Sequence, residues 1–182
     1  MPTQNPAPFN DSSAEWSQTD IVAMLSTMAD ATRTLLRERD ISDPAVLGIH
    51  SGGVWIARQL VDILGITTPL GSLDISFYRD DFSRIGMNPQ VRPSELPFDV
   101  DGRHIILVDD VLYTGRTIRA ALNEIFDYGR PASVILAVLV DRGDRELPIA
   151  PNISGLTLRL RSGQQIKLSG PEPLQLVRKT SP

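Results

Sequence analysis

The sequence predicts an α/β domain, with a central, mostly parallel sheet flanked by helices. Two observations carry this. Short apolar runs at 46–49, 105–108 and 133–140 have the length of strands and no polar face, as strands covered on both sides of a parallel sheet require. The first two runs each lead into a loop of small residues, His50-Ser51-Gly52-Gly53 and Thr114-Gly115-Arg116-Thr117, and then into a segment with helical apolar spacing. A strand, a glycine loop and a helix, repeated, form the unit from which parallel sheets are built.

The 182 residues are enough for one domain with a substantial core. Apolar content of 41% and charged content of 22% are those of an ordinary soluble chain. No apolar run approaches the roughly 18 residues that would mark a membrane span. The N-terminus lacks a basic start followed by an apolar core, so no signal peptide is expected and a cytoplasmic location is. The absence of cysteine excludes disulfides and thiolate metal sites. A net charge of −4 argues against a purely electrostatic nucleic-acid binder. The charge is uneven: residues 101–182 carry 11 basic and 9 acidic side chains, residues 1–100 carry 7 and 13.

Residues 1–13, rich in Pro, Asn and Ser, read as a mobile tail ahead of a single domain over 14–182. A first helix is expected from Ser17 to Arg39, since Ile21, Leu25, Met28, Thr32 and Leu35 recur at helical spacing and Ser17 with Asp20 forms a capping pair. Its apolar stripe reads as core, and Arg33, Arg37 and Arg39 as a solvated end. Val46–Ile49 is a strand, followed by the His50–Gly53 loop and a helix through Val54, Ile56, Ala57, Leu60, Val61 and Leu64. Leu70 to Arg79 alternates apolar and polar residues and reads as a half-buried strand. Residues 82–102 show no periodicity, and a loop of that length is usually functional or disordered.

The stretch from His104 to Leu122, HIILVDDVLYTGRTIRAAL, is the centre of the chain. Ile105–Val108 form a strand, Asp109 and Asp110 follow it, and a helix starts near Ile118 with Ile118, Ala121, Leu122 and Ile125 on one face. His104, ahead of a buried strand, is read as structural. The loop between strand and helix presents free N–H groups and a helix N-terminus, adds the Thr114 and Thr117 hydroxyls, and lets backbone approach closely at Gly115. The natural occupant is a phosphate. Two carboxylates just before such a loop suit sugar hydroxyls, or a metal ion bridging to them. Tyr128-Gly129-Arg130-Pro131 ends the helix, Ser133–Val140 is the next strand, and two more strands are expected at Leu156–Leu160 and about Pro173–Val177.

This central string closely resembles the phosphoribosyl-diphosphate (PRPP) signature of the type I phosphoribosyltransferases. VDDVLYTGRT resembles one branch in particular, the pyrimidine operon regulators with uracil phosphoribosyltransferase activity (the PyrR family). Tyr78-Arg79-Asp80-Asp81 and the string Asp141-Arg142-Gly143-Asp144-Arg145-Glu146-Leu147-Pro148-Ile149 resemble the same branch. The likeness covers roughly residues 45–150. It implies the type I phosphoribosyltransferase fold, with a flexible flap at about 80–102 and a small hood from the terminal segments. The implied reaction converts uracil and PRPP to UMP and diphosphate, with Mg²⁺ carried on the substrate. Asp109, Asp110, Tyr113, Thr114, Gly115, Arg116 and Thr117 would then bind PRPP, with Asp109, Asp110 and Arg79 in the catalytic set. His50, Ser51, Gly52 and Gly53 would form the pyrophosphate loop, aided by Arg79, Arg84 and Arg92. Asp141 and Arg142 would lie on the base side, with Asp141 also a metal candidate.

Two departures matter. Relatives carry a basic residue in the pyrophosphate loop, in a Lys-Thr-Arg-Gly-like string, where this chain has His-Ser-Gly-Gly; one donor to a highly charged leaving group is missing, which bears on rate more than on PRPP binding. The C-terminal segment also departs, so base specificity is less secure than PRPP use. The resemblance further implies a nucleotide-sensing regulator that binds pyrimidine-operon mRNA with UMP or UTP bound, with basic residues near the first helix meeting the RNA. Arg159, Arg161 and Lys167 read as an exposed strand face rather than an RNA cluster. Relatives form dimers or tetramers. A catalytically weak regulator and a transferase for another base are the alternatives; the YRDD and DRGxRELPI strings count against the second.

Overall fold

The structure, a computed structural model, describes residues 15–75 and 93–180. Its elements in chain order are β1 (Glu15–Trp16), α1 (Gln18–Glu38), β2 (Ala45–Ile49), α2 (Gly52–Leu64), β3 (Gly71–Leu73), β4 (His104–Leu112), α3 (Arg116–Tyr128), β5 (Ser133–Asp141), β6 (Ile153–Thr157), β7 (Gln164–Ser169) and β8 (Gln175–Thr180). The apolar runs become neighbours: β2, β4 and β5 pair in parallel, with β3 outside β2 and β6 outside β5, also parallel.

Alternation along the strands explains why none has a polar face. Ile106 and Val108 of β4 pack with Ile21, Met24 and Met28 of α1 and Ile56 and Leu60 of α2. Ile105 and Leu107 point the other way, onto Ile118, Ala121 and Ile125 of α3. Successive residues of a strand face opposite sides, so a strand between two helical layers must be apolar throughout. α1 begins with the expected capping pair: the Ser17 hydroxyl accepts from the Asp20 N–H, and the Asp20 carboxylate accepts from the Ser17 N–H at 2.8 Å. Thr32, buried on its inner face, satisfies its hydroxyl by donating to the Met28 carbonyl at 2.7 Å.

α2 and α3, the helices that follow adjacent strands β2 and β4, lie on opposite faces of the sheet. The loops leaving β2 and β4 therefore diverge, and a crevice opens at the carboxyl ends of these strands, where doubly wound sheets bind ligands.

Several boundaries differ from the sequence expectation. β4 runs past Val108 to Leu112, because its ladder with β5 continues through Asp109↔Val138, Val111↔Val140 and Leu112↔Asp141. The strand expected at Leu156–Leu160 forms at Ile153–Thr157, where pairing with Ala137–Asp141 decides the register rather than local alternation. The last strand is Gln175–Thr180 instead of about Pro173–Val177, and it pairs antiparallel with β7, which the polar string QQIKLS did not announce. β1 joins the other side of β8, completing a second sheet of order β1-β8-β7 from both terminal segments. The strand expected over Leu70–Arg79 is Gly71–Leu73 among the described residues. The expected mobile tail 1–13, most of the expected flap, Tyr78, Arg79, Asp80, Asp81, Arg84 and Arg92 lie outside them. From residue 93 the chain is tied to the sheet: Ser72 and Glu95 exchange backbone hydrogen bonds at 2.7 and 2.8 Å, and the Ser94 hydroxyl accepts from the Asp74 N–H and donates to Glu124.

Candidate active site

The crevice holds a cavity of about 520 Å³. One wall is the start of α2, the other is the loop from Tyr113 to Thr117, and Asp109 and Asp110 stand between them. Close packing makes this possible. A Cβ on Gly48 would lie 2.7 Å from the Val54 Cα, and one on Gly53 would lie 2.5 Å from the Val108 carbonyl oxygen. The glycines let the end of β2 and the start of α2 press against β4. A Cβ on Gly52 would strike the Asp110 carboxylate, so Gly52 is where the loop makes room for that side chain.

Neither N-cap residue at this cavity, Ser51 before α2 or Gly115 before α3, makes a side-chain hydrogen bond, and at α3 the Thr114 hydroxyl accepts from the first N–H, that of Arg116, at 3.3 Å. Gly115 has φ of 94°, a left-handed conformation that favours glycine. The first-turn N–H groups of a helix have no partner within it, and the dipole adds positive potential. Two such ends facing one cavity across a pair of carboxylates suit a ligand with anionic groups at both ends and hydroxyls in the middle. Asp109 is 2% exposed, with Oδ1 accepting from the Asp110 N–H at 2.9 Å; Asp110 is more open, with Oδ1 accepting from the Val111 N–H at 3.0 Å.

The expected residues therefore separate into groups. Ser51, Gly52, Asp109, Asp110, Tyr113, Thr114, Gly115, Arg116 and Thr117 meet at this cavity. Gly53 is a packing residue beside it. His50 lines a neighbouring hollow of about 480 Å³ with Arg58 and Glu95, and its N–H is held by the Leu73 carbonyl at 2.9 Å. Asp141, expected near base and metal, has Oδ1 committed to Arg145 at 2.6 Å and to the Gly143 N–H at 3.0 Å. Arg142 lies with its guanidinium 3.6 Å from the centroid of the Tyr113 ring. It borders a third hollow of about 310 Å³ with Tyr113, Leu160 and Arg161. The Arg116 guanidinium pairs with Glu146 at 2.6 Å. Arg79 is outside the described residues.

Trp55 and the β7 residues Ile166, Lys167 and Leu168 also line the main cavity. The sequence does not single out Trp55, and Lys167 reads there as an exposed strand residue; the second sheet brings β7 over the crevice, which no local pattern encodes. Among the described residues no three His, Cys, Asp or Glu side chains come together as a metal cage. The donors present are oxygens of adjacent carboxylates, which fit a hard divalent cation that arrives already coordinated by a phosphorylated substrate.

Comparison with known proteins bears on the family and the fold. Residues 17–165 match the family model described as phosphoribosyl transferase domain. A protein of Pseudomonas fluorescens (strain Pf-5) named bifunctional protein PyrR is 59% identical over 154 residues, 85% of this chain and 92% of that one. A protein of the same name from Pseudomonas syringae pv. tomato is 58% identical over 84% of this chain and 90% of its own. Among solved structures, the hypoxanthine phosphoribosyltransferase of Trypanosoma cruzi superposes with a TM-score of 0.66 at 15% identity, covering 92% of this chain and 95% of that one. A purine phosphoribosyltransferase from Pyrococcus horikoshii gives 0.57 at 24% identity, over 76% and 83%. At those identities the structural likeness speaks to the fold.

Proposed function

The chain belongs to the phosphoribosyl transferase family and, within it, to the bifunctional PyrR proteins, and from that premise we propose that it makes UMP and diphosphate from uracil and PRPP and regulates pyrimidine genes through mRNA. The observation that carries the enzymatic half is the meeting of two helix N-termini across Asp109 and Asp110 in one cavity.

The chemistry needs little else. Breaking the bond at C1′ builds positive charge on the ribose and negative charge on the departing diphosphate. A protein accelerates this by holding both ends and complementing both charges, without a covalent nucleophile. The Tyr113–Thr117 loop takes the 5′-phosphate. Asp110, helped by Asp109, takes the ribose hydroxyls and offsets the ribose cation. Ser51 and Gly52, at the start of α2, take the diphosphate, with Arg79 its proposed cation. No lysine or arginine stands in the 50–53 loop, so the leaving group relies on backbone N–H groups, Arg79 and the cation it brings. Mg²⁺ bound through the substrate supplies charge neutralisation at the diphosphate. Arg142, which borders the hollow beside Tyr113, is the proposed base-side residue, and Asp141 serves it by fixing the turn through Arg145. The proposed flap, from about residue 80 to where the chain is tied to the sheet at residue 93, keeps water from the activated ribose, and the second sheet serves as hood. No helix among the described residues is long and apolar enough to cross a membrane, and the substrates are those of the cytoplasm. A homodimer or homotetramer is the proposed assembly.

UMP formation from uracil, PRPP and Mg²⁺, run beside Asp110→Asn, tests the enzymatic half. Turnover in the intact chain and its loss in the variant is the expected result. UMP binding without turnover would leave the regulator alone. For that half, affinity for the pyrimidine-operon leader transcript should rise with UMP and fall steeply with salt.

A further inference from the structure

A cradle built from backbone N–H groups must keep its carbonyls away from the anion, since each carbonyl oxygen would repel it. Here three successive carbonyls at the start of the phosphate loop are all held by one turn, the segment after β5. The Leu112 carbonyl accepts from the Arg142 N–H at 3.1 Å, and the Thr114 carbonyl from the Glu146 and Leu147 N–H groups at 3.0 and 3.1 Å. Between them, the Tyr113 carbonyl accepts from Arg145 Nη1 at 2.9 Å. Side chains add to the same contact: the Arg142 guanidinium covers the Tyr113 ring, and Glu146 holds Arg116 at the first turn of α3.

Resting on the reading of this loop as the 5′-phosphate site, the geometry points to Asp141–Leu147 as a brace that presets the phosphate cradle, with Arg145 as its positioning residue. Arg145 does not line the main cavity. Its side chain is 20% exposed and spans four acceptors: Ile149 O from Nε at 2.8 Å, Tyr113 O and Gly143 O from Nη1 at 2.9 and 3.0 Å, and Asp141 Oδ1 from Nη2 at 2.6 Å. Only a planar guanidinium reaches that many directions at once; a lysine ammonium reaches fewer, with no fixed fork. Asp141 orients Arg145, Arg145 holds the Tyr113 carbonyl, and the N–H side of the loop is left facing the cavity. A preset cradle binds phosphate without first paying to order the loop.

The test separates the two anion loops. Arg145→Gln and Arg145→Lys are compared with the intact chain by calorimetric titration with UMP, which uses the braced loop, and with inorganic diphosphate plus Mg²⁺, which uses the loop before α2. The expected result is UMP affinity lower by roughly tenfold or more in Arg145→Gln, the loss expected for charged hydrogen bonds. Arg145→Lys should fall between, diphosphate affinity should be unchanged, and the KM for PRPP should rise more than that for uracil. Amide exchange of the 113–117 segment should quicken in the ligand-free variants. UMP affinity that stays level, or UMP and diphosphate affinities that fall in parallel, would overturn the brace. So would failure of both variants to fold, since the turn would then serve stability alone. An intact chain that binds neither ligand would instead overturn the functional reading, and this inference with it.

Discussion

Asp109 and Asp110 are neighbours in sequence and unequal in place. Strand alternation buries Asp109 while leaving Asp110 more open to the crevice. Asp110→Asn keeps the shape and removes the charge, so folding should persist while turnover falls by roughly 10²-fold or more, the scale of losing a group that complements transition-state charge. A thermal melt beside the UMP assay checks both halves. The adjacent glycines should behave differently from each other. In Gly52→Ala the new methyl meets the Asp110 side chain, so activity should fall with little change in melting temperature. In Gly53→Ala it meets the Val108 carbonyl, which cannot step aside, so melting temperature should fall too. Equal melting temperatures for the two variants would refute this contrast.

The helices divide by how their ends are finished. α1, remote from the cavity, carries a full capping box, whereas the N-cap residues of α2 and α3, which face it, make no side-chain bond, and the Thr114 hydroxyl meets the first N–H of α3. Hydrogen bonds from the Ser17 hydroxyl and N–H hold the Asp20 carboxyl below its ordinary value. A depressed carboxylate contributes stability above its unfolded pKa and loses it as the pH falls through its folded pKa. The gap in melting temperature between the intact chain and Ser17→Ala should therefore be present at neutral pH and shrink in acid. α2 ends at Gly65, whose φ of 69° is left-handed and whose Cβ position is open. Gly65→Ala should cost about 1 kcal/mol from backbone conformation alone, measured by denaturant unfolding.

The two sheets share one core. Leu168, Leu174 and Leu176 of the second sheet and its turn pack in the same cluster as Ile21, Met24 and Met28 of α1 and Ile106 of β4, with Trp16. Leu176→Ala should cost about 2–5 kcal/mol. Unfolding should remain a single transition, because the second sheet has no core of its own; two resolved transitions would show otherwise. The candidate site also depends on this docking, since β7 lines the cavity. Chelation of divalent cations should abolish turnover while leaving the melting temperature unchanged, as expected where the cation arrives with substrate rather than in a protein cage.

Much of this architecture was legible because local chemistry and global fold agree. The apolar runs of β2, β4 and β5 have no polar face because two helical layers cover them, and the Asp109–Thr117 string carries its carboxylates, hydroxyls and glycine in consecutive residues. The PyrR resemblance rested on those same consecutive residues, and relatives at 58–59% identity bear it out. What sequence could not show depends on contacts between distant segments. β6 and β8 shifted because partner strands set their register, and β1 and β7 are strands only because β8 lies between them. Asp141 and Arg142 read, by resemblance, as base-side residues; folding sets one against Arg145 and the other over Tyr113. The central parallel strands, the helices and the Tyr113–Thr117 loop could be read from sequence, because each is dictated by periodicity or by neighbouring residues. Tertiary structure decided what stands over the crevice and what holds the loop in shape, because those contacts join residues that lie tens of positions apart.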